Sequence, residues 1–452
     1  MSVGVDLCCK RRANPESGRN YPHLSALAII AVFRVTEIAI MSDPQVLIVG
    51  AGLSGLACAI ELNRRGIECQ IFEASGQVGG RVSTDRVDGF LLDRGFQVFL
   101  TSYPEAPKFL DYESLELKKF KAGAIIRYQD SFCRISDVMR HPGDLPGNVF
   151  SQAGSITDKL KIAALRTEVA KQSIAEIEAA ENITTQQRLK QFGFSQRIID
   201  SFFRPFFGGV FLESNLATSR RTFDFVFKMF ASGDATLPAS GMGQIPQQMA
   251  ANLPSGTIQF NCPVKSINNN TVQLENGESV SARQIVLATD QNSANRLLNN
   301  ETVENVGVTC LYFAANESPV NEPILVLNGD PADGPINNLC VPSDVATAYA
   351  PDGQALISIT VLGVDHDQSS IIESVLQQVR KWYGEPVDQW RHLKTYEIKH
   401  SLPKQNCSDL ETVKKPLLTK DGIYRCGDYL DFASIQGALA SGRKIAEQVS
   451  EA

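Results

Sequence analysis

The pattern of apolar and polar residues near the start of the chain predicts a strand–helix–strand unit. Residues 45–49 form an almost wholly apolar run, which is typical of a central parallel strand buried on both faces. Residues 54–65 carry apolar side chains at helical spacing, and Gly66 ends the predicted helix. Residues 69–72 predict a second strand, which ends at Glu73. The folded part of the chain therefore opens with a βαβ pattern.

The pattern changes several times further along the chain. A turn and a hairpin are predicted between Gly79 and Phe96, and residues 158–228 have a helical pattern that includes the aromatic segment 202–212. Short strands are predicted at 257–260, 264–268, 272–275 and 284–289, with hairpins between them, and strand-like runs alternate with turns over 306–361. A helix is predicted over 371–383, and a C-terminal strand at 422–428 leads into a helix over 437–449.

This interleaving predicts an α/β fold in which a Rossmann-type domain is built from discontinuous segments and an α+β substrate domain is inserted into it. The length of 452 residues agrees with more than one domain. The predicted boundaries are 41–105, 236–300 and 405–452 for the nucleotide-binding domain, 106–235 and 301–404 for the substrate domain, and 1–40 for an N-terminal extension.

Residues 1–40 superficially resemble a signal peptide. Basic residues precede an apolar run over 24–33, but Arg34 interrupts the pattern and no small-x-small cleavage site follows. The run is about half of the ~20 residues that a membrane-spanning helix requires. We expect either that Met41 is the natural start or that residues 1–40 are a disordered extension. A transit peptide or a membrane-surface helix is the alternative.

Composition narrows the class of protein. Hydrophobic residues make up 43% and charged residues 21% of the chain, and the net charge of -7 argues against a general nucleic-acid binder. The ten cysteines contain no Cys-x-x-Cys pair, which favours reduced thiols in a cytoplasmic protein. The five histidines show no metal-ligand spacing, so we predict no metal.

A glycine-rich turn follows the first strand and opens the helix; its residues are Gly50, Ala51, Gly52, Leu53, Ser54 and Gly55. In this context the glycines allow a tight turn, close approach of a pyrophosphate and close packing of helix on strand. The free N–H groups at the start of the helix would bind the phosphates. Glu73 stands where a carboxylate is expected to accept hydrogen bonds from ribose hydroxyls. These features predict a dinucleotide but do not distinguish FAD from NAD.

Two further motifs point to FAD. Gly79 and Gly80 allow close backbone approach, and Arg81 supplies a charge for a phosphate or for the flavin. Gly427 and Asp428 end the C-terminal strand, where Asp428 would accept a hydrogen bond from a ribityl hydroxyl. The following helix would direct its N-terminus at the flavin ring, and the residues predicted there are Ser434, Ile435 and Gln436.

Together these motifs resemble the flavin amine oxidase superfamily, which includes monoamine oxidases, protoporphyrinogen oxidases and phytoene desaturases. The resemblance is strong at both ends of the chain, and residues 206–211 and 239–246 look most like the protoporphyrinogen-oxidase and phytoene-desaturase branch. It implies an FAD-binding domain in which Ala74 belongs to the site, Val264 contacts adenine through its backbone, and Ala288 and Thr289 pass close to the cofactor.

The same resemblance leaves amine oxidation in doubt. Monoamine oxidases place two aromatic side chains beside the flavin, and here Tyr429 or Phe432 is the candidate, on a stretch shorter than theirs. A lysine near the flavin is not assigned among Lys265, Lys394 and Lys399. No catalytic residue is therefore predicted.

The predicted function is a two-electron dehydrogenation, or desaturation, of a small apolar or polycyclic substrate. No second glycine-rich dinucleotide turn follows a strand, so oxygen, a quinone or another acceptor is expected to reoxidise the flavin. The segment 202–212 would pack in the core, line an apolar channel or make a peripheral membrane contact. The alternatives are an amine or amino-acid oxidase and a non-enzymatic escort protein of the same fold.

Overall fold

Two large sheets organise the part of the chain that the computed structural model describes, residues 44–136, 154–411 and 415–452. The predicted extension 1–40 lies outside these residues. The strands are β1 Val46–Val49, β2 Cys69–Phe72, β3 Thr84–Val87, β4 Phe90–Asp93, β5 Phe99–Leu100, β6 Lys118–Lys119, β7 Gly123–Tyr128, β8 Ser131–Ser136, β9 Ala235–Leu237, β10 Ile258–Gln259, β11 Val264–Asn268, β12 Thr271–Leu274, β13 Ser279–Ser281, β14 Gln284–Leu287, β15 Asn305–Ala315, β16 Leu325–Asn328, β17 Ile336–Cys340, β18 Ala355–Leu362, β19 Arg391–Pro403 and β20 Tyr424–Arg425.

Helices connect and cover these strands. The α-helices are α1 Leu53–Arg64, α2 Ile156–Lys171, α3 Ile174–Ala179, α4 Thr185–Gln191, α5 Gln196–Ile198, α6 Arg204–Phe211, α7 Arg220–Ser232, α8 Gln244–Ala251, α9 Gln291–Leu297, α10 Pro342–Val345, α11 Gln368–Tyr383 and α12 Ile435–Glu451. A π-helical turn over Ile199–Phe203 leads into α6. Short 3-10 turns lie at Ala106–Lys108, Pro331–Asp333, Thr347–Tyr349, Glu385–Gln389 and Asp428–Leu430.

The five-stranded sheet has the order β10-β2-β1-β14-β20, and every pairing in it is parallel. All four residues of β1 are buried, as expected for a parallel strand covered on both faces. Its strands come from segments far apart in the chain, since β20 is C-terminal and β1 lies near the start. The predicted βαβ opening and the α/β fold class are therefore confirmed.

The seven-stranded sheet has the order β19-β15-β18-β17-β16-β7-β8 and is antiparallel except between β16 and β7. It draws its strands from residues 123–136 and 305–403, which fall within the predicted substrate segments. The domain boundaries themselves stay a prediction. Parts of the predicted segments lie outside the residues that the structure describes.

Two predicted pairings were wrong. Hairpins were expected to join all the short strands between 257 and 289, but β10 pairs in parallel with β2, and β14 pairs in parallel with β1. Only β11 and β12 form an expected antiparallel hairpin, and β12 also pairs with β13, a strand that was not predicted. The physical reason is that β10 and β14 gain buried partners in the parallel sheet, which a local hairpin would not provide.

Candidate functional site

One cavity of about 1460 Å³ brings together most of the residues predicted to bind the cofactor. Those that line it are Gly50, Gly52, Leu53, Ser54, Glu73, Ala74, Gly79, Gly80, Arg81, Val264, Ala288, Thr289, Gly427, Asp428, Ser434 and Ile435. Ala51, Gly55 and Gln436 do not line it. Segments from both ends of the chain thus meet at one place, and we call the three turns there (residues 50–55, 79–81 and 427–428) the glycine cleft, of which only Ala51 and Gly55 do not reach the cavity.

The start of α1 suits a bound phosphate. Eight of the twelve α-helices in the described residues begin with a serine, threonine or aspartate side chain that caps the first N–H groups, as Ser155 does for α2 and Ser434 for α12. Helix α1 begins at Gly52 with no side-chain cap, so its first N–H groups keep their hydrogen-bonding capacity. A Cβ on Gly52 would meet no atom within 4 Å, and it would enter the space beside these groups. The cleft therefore fits the pyrophosphate of a dinucleotide.

Gly55 has a different part in the same turn. A Cβ there would lie 2.0 Å from the carbonyl oxygen of Gly50, and Gly55 does not line the cavity. Its missing side chain lets α1 pack against the strand end, as predicted. Gly79 ties the second glycine motif to this turn, because its N–H donates to the carbonyl oxygen of Ala51 at 2.9 Å.

Glu73 braces the glycine cleft as well as facing it. One carboxylate oxygen accepts a hydrogen bond from the N–H of Ala51 at 2.8 Å, and the other accepts from the N–H and the hydroxyl of Ser75 at 2.9 and 2.7 Å. The sequence predicted only the contact with ribose. A carboxylate has about four lone-pair positions, so one remains for a ribose hydroxyl.

Arg81 and Asp428 join the two ends of the chain. The Arg81 Nη2 donates to an Asp428 carboxylate oxygen at 2.6 Å, and its Nη1 donates to the carbonyl oxygen of Ser401 at 2.9 Å. Burial alone would lower the pKa of Arg81, but the charge and hydrogen bond of Asp428, together with the nearby Asp290 and Tyr429, outweigh burial and raise the pKa. The sequence assigned each residue separately to the cofactor and did not anticipate this ion pair.

Helix α12 begins where the sequence predicted it, but several residues that were expected to lie near the flavin do not face the cavity. Ser434 caps α12 by accepting from the N–H of Gly437 at 3.1 Å. The Gln436 side chain instead accepts from the N–H of Glu105 at 2.9 Å. Tyr429 and Phe432, the alternative candidates for one of the two aromatic side chains at the flavin, are buried and do not line the cavity. That candidate assignment was wrong, because the chain turns inward after Asp428 and Phe432 stacks on Phe225 in the core.

Aromatic side chains form another part of the cavity wall, the phenylalanine wall, which consists of Phe202, Phe206, Phe227 and Phe230. Phe202 and Phe206 stack at 5.6 Å, one helical turn apart. Their neighbours Phe203 and Phe207 are fully buried and pack against α7. The segment predicted as core or channel is therefore both, because its two faces have different surroundings.

Asp93 has a buried carboxylate and directly precedes residues 94–98, which line the cavity. Asp93 accepts hydrogen bonds from the hydroxyls of Thr84 and Tyr349 at 2.5 and 2.8 Å and from the N–H of Met242 at 2.9 Å. Burial raises the pKa of Asp93 to about 6, although these donors favour its ionised form. Asp93 thus holds together elements that bound the cavity.

The sequence reasoning missed several polar residues of the cavity wall, among them Asp85, Arg94 and Tyr396, and it left the role of Lys394 unassigned. Arg94 follows a predicted hairpin and offered a local signal, whereas β19, which carries Lys394 and Tyr396, was not predicted as a strand. Of the lysines considered, Lys394 and Lys399 line the cavity and Lys265 does not.

Comparison with known proteins identifies the family. The profile of the flavin containing amine oxidoreductases matches residues 53–450. Protoporphyrinogen oxidase 2 of Arabidopsis thaliana is 31% identical over 180 residues, which cover 38% of this chain and 34% of that protein. A 4,4'-diapophytoene desaturase of Staphylococcus haemolyticus is 50% identical over 48 residues, 11% of this chain and 10% of that protein. The matches thus span about a third or less of these relatives.

Solved structures agree with the fold. A putrescine oxidase variant superposes with a TM-score of 0.68 at 17% identity, over 90% of this chain and 99% of that one. An oxidoreductase from Methanosarcina mazei has a TM-score of 0.68 at 17% identity, over 89% and 99%. Within the described residues, no helix has the length and hydropathy needed to cross a membrane. From the family match over most of its length, the chain belongs to the flavin containing amine oxidoreductase family and is an FAD-dependent oxidoreductase.

Proposed function

We propose that the protein dehydrogenates an apolar or polycyclic substrate by two electrons, as in a C–C desaturation, with oxygen, a quinone or another compound as the final acceptor. The observation that carries this proposal is the phenylalanine wall, which lines the same cavity as the glycine cleft. An apolar substrate on this wall would share an enclosed space with the cofactor, which supplies the two-electron acceptor when bound.

The residues of the glycine cleft would hold FAD. Gly52 and the start of α1 would bind the pyrophosphate, and Glu73 would accept a ribose hydroxyl. Asp428 has one oxygen committed to Arg81, which leaves the other for a ribityl hydroxyl. The chain's own contribution to the reaction is then to orient the substrate and to exclude water. The division of the chain into a cofactor-binding domain and a substrate domain, as predicted from the sequence, is part of this proposal.

The names of the relatives favour this reaction class, since they include a protoporphyrinogen oxidase and a diapophytoene desaturase. Amine oxidation is the rival, and putrescine oxidase shares the fold. Neither Tyr429 nor Phe432, the candidates for one of the two aromatic side chains that amine oxidases place beside the flavin, lines the cavity. The escort alternative is set aside because the family consists of oxidoreductases.

The test is anaerobic reduction of the purified flavoprotein. The visible absorbance of the flavin is followed while a porphyrinogen, a carotenoid precursor and a panel of primary and secondary amines are added in turn. Loss of absorbance with an apolar or polycyclic compound, and none with amines, is expected. Reduction by amines alone would overturn the proposal in favour of the rival.

A further inference from the structure

A cluster of polar side chains forms another part of the cavity wall. It consists of Asp85 on β3, Arg94 directly after β4, and Lys394 and Tyr396 on β19, and all four line the cavity. The Asp85 carboxylate accepts hydrogen bonds from Arg94 Nη2 at 3.0 Å, Lys394 Nζ at 3.0 Å and Tyr396 Oη at 2.7 Å. We call this group the basic cluster.

The basic cluster carries a surplus positive charge. Burial alone would raise the pKa of Asp85, but the hydrogen bonds from its three partners outweigh burial and lower the pKa to about 2. Asp85 is therefore ionised at neutral pH, and one carboxylate faces two cations. Glu397, the next residue along β19, also lines the cavity, as does Lys399, but within the described residues Glu397 makes no ion pair with Arg94 or Lys394.

Donors remain available on both cations. Asp85 uses Nε and Nη2 of Arg94, and among the described residues no hydrogen bond uses its Nη1. Lys394 donates to Asp85 and lies 4.5 Å from the ring centre of Tyr396, so its ammonium group also has spare donors. The side chains of Arg94 and Lys394 are 44% and 41% exposed, and both line the cavity. An anion in the cavity could therefore be bound by both.

The phosphates of the cofactor have binding groups of their own on the cavity wall. The uncapped start of α1 offers its N–H groups to the pyrophosphate, and Arg81 is already bound to Asp428 and to the carbonyl oxygen of Ser401. Gln97 Nε2 donates to the carbonyl oxygens of both Arg81 and Arg94, so the basic cluster adjoins the glycine cleft and lies in reach of a second ligand beside the cofactor.

We propose that Arg94 and Lys394 bind a carboxylate group carried by an otherwise apolar substrate, whose body lies on the phenylalanine wall. This inference rests on the proposed function, because it takes the cavity to be the substrate site. Asp85 and Tyr396 are positioning residues, since they fix the two cations and do not themselves offer charge to the anion. The substrate class is thus an amphipathic acid.

The test is a binding measurement on the FAD-loaded protein with two fluorescent probes of matched shape, 1-pyrenebutyrate and its neutral amide. Wild-type protein is expected to bind the acid about tenfold more tightly than the amide, because a charge-assisted contact is lost with the amide. Arg94→Gln and Lys394→Gln should each reduce this preference to about twofold and leave binding of the amide unchanged. The matched control is Arg391→Gln, on the same strand but paired with Asp88 outside the cavity, which should keep the preference.

Equal binding of acid and amide to wild-type protein would overturn the inference, as would a preference that survives both substitutions. Loss of FAD from either variant, measured by flavin fluorescence after gel filtration, would assign the cluster to the cofactor and also overturn it. Failure of the proposed function is distinguishable. In that case the acid preference is present and depends on Arg94 and Lys394, while only amines bleach the flavin. Two variants on different strands guard against misfolding of either one.

Discussion

The glycine cleft and the phenylalanine wall line the same cavity, but the cleft is formed mainly by the backbone and the wall by side chains. In the cleft, missing side chains and main-chain N–H groups make the surface, as at Gly52. In the wall, large side chains such as Phe206 make it, and the backbone lies behind them. A backbone surface is fixed by a short local motif, whereas a side-chain surface depends on which distant segments meet. Substitutions should therefore affect the two surfaces in different ways.

The largest expected effect lies behind the phenylalanine wall. Phe203→Ala removes a fully buried ring that packs against Phe207 and Phe223, and should cost about 4 kcal/mol in the free energy of unfolding. Phe206→Ala, on the cavity face, should cost no more than about 2 kcal/mol but weaken binding of 1-pyrenebutyramide about tenfold. Urea unfolding and fluorescence titration measure the two quantities. If both variants lose the same stability and bind the probe normally, the two faces do not differ as described.

The sequence predicted the cleft better than the wall for the same reason. The strand, turn and helix over 46–64 follow each other directly, so their pattern and their chemistry are local. The aromatic segment was equally visible, but the sequence left open whether it was core or channel, because Phe203 and Phe206 differ only in what other segments bring to them.

Contacts between distant segments account for most of what was missed. Asp85 and Lys394 are 309 positions apart, and β19 has no strong apolar alternation to mark it as a strand. Tyr429 was a candidate for the flavin site because it follows the Gly-Asp turn, yet it belongs to the same buried cluster as Leu47 and Leu287 of the parallel sheet. Neither outcome has a local signal, because both depend on the side chains that the fold brings into contact.

The second prediction separates folding from cofactor binding within the glycine cleft. Gly55→Ala places a methyl group against the Gly50 carbonyl oxygen and should lower the free energy of unfolding of the cofactor-free protein by about 3 kcal/mol. Gly52→Ala meets no neighbour and should leave that stability within about 0.5 kcal/mol. It should nevertheless weaken FAD binding at least about tenfold, measured by flavin fluorescence, since its methyl group enters the phosphate space. Normal FAD affinity in Gly52→Ala would place the pyrophosphate elsewhere.

The third prediction concerns Asp93, whose pKa is raised from its ordinary value of 3.8 to about 6 by burial. In the folded state the carboxyl group holds its proton over a range in which the unfolded chain has lost it. The stability that this gives is complete below about pH 4 and is lost as the pH rises through about 6, on the order of 3 kcal/mol in all. Asp93→Asn cannot titrate, so the difference in unfolding free energy between wild type and variant should change by that amount. A pH-independent difference would contradict the raised pKa.

The smallest expected effect bears most directly on how the cleft is held together. If backbone geometry alone set its shape, the ion pair between Arg81 and Asp428 would add nothing, and Arg81→Met and Asp428→Asn would have additive effects on the unfolding of the cofactor-free protein. We expect a coupling free energy of about 1–2 kcal/mol in a double-mutant cycle, because Asp428 is 6% exposed although Arg81 is 36% exposed. FAD affinity, measured on the same variants, should fall in each single variant and little further in the double variant. Additive effects in both measurements would show that the two side chains act independently. The two ends of the chain would then be held together by the parallel sheet, where β14 pairs with β20.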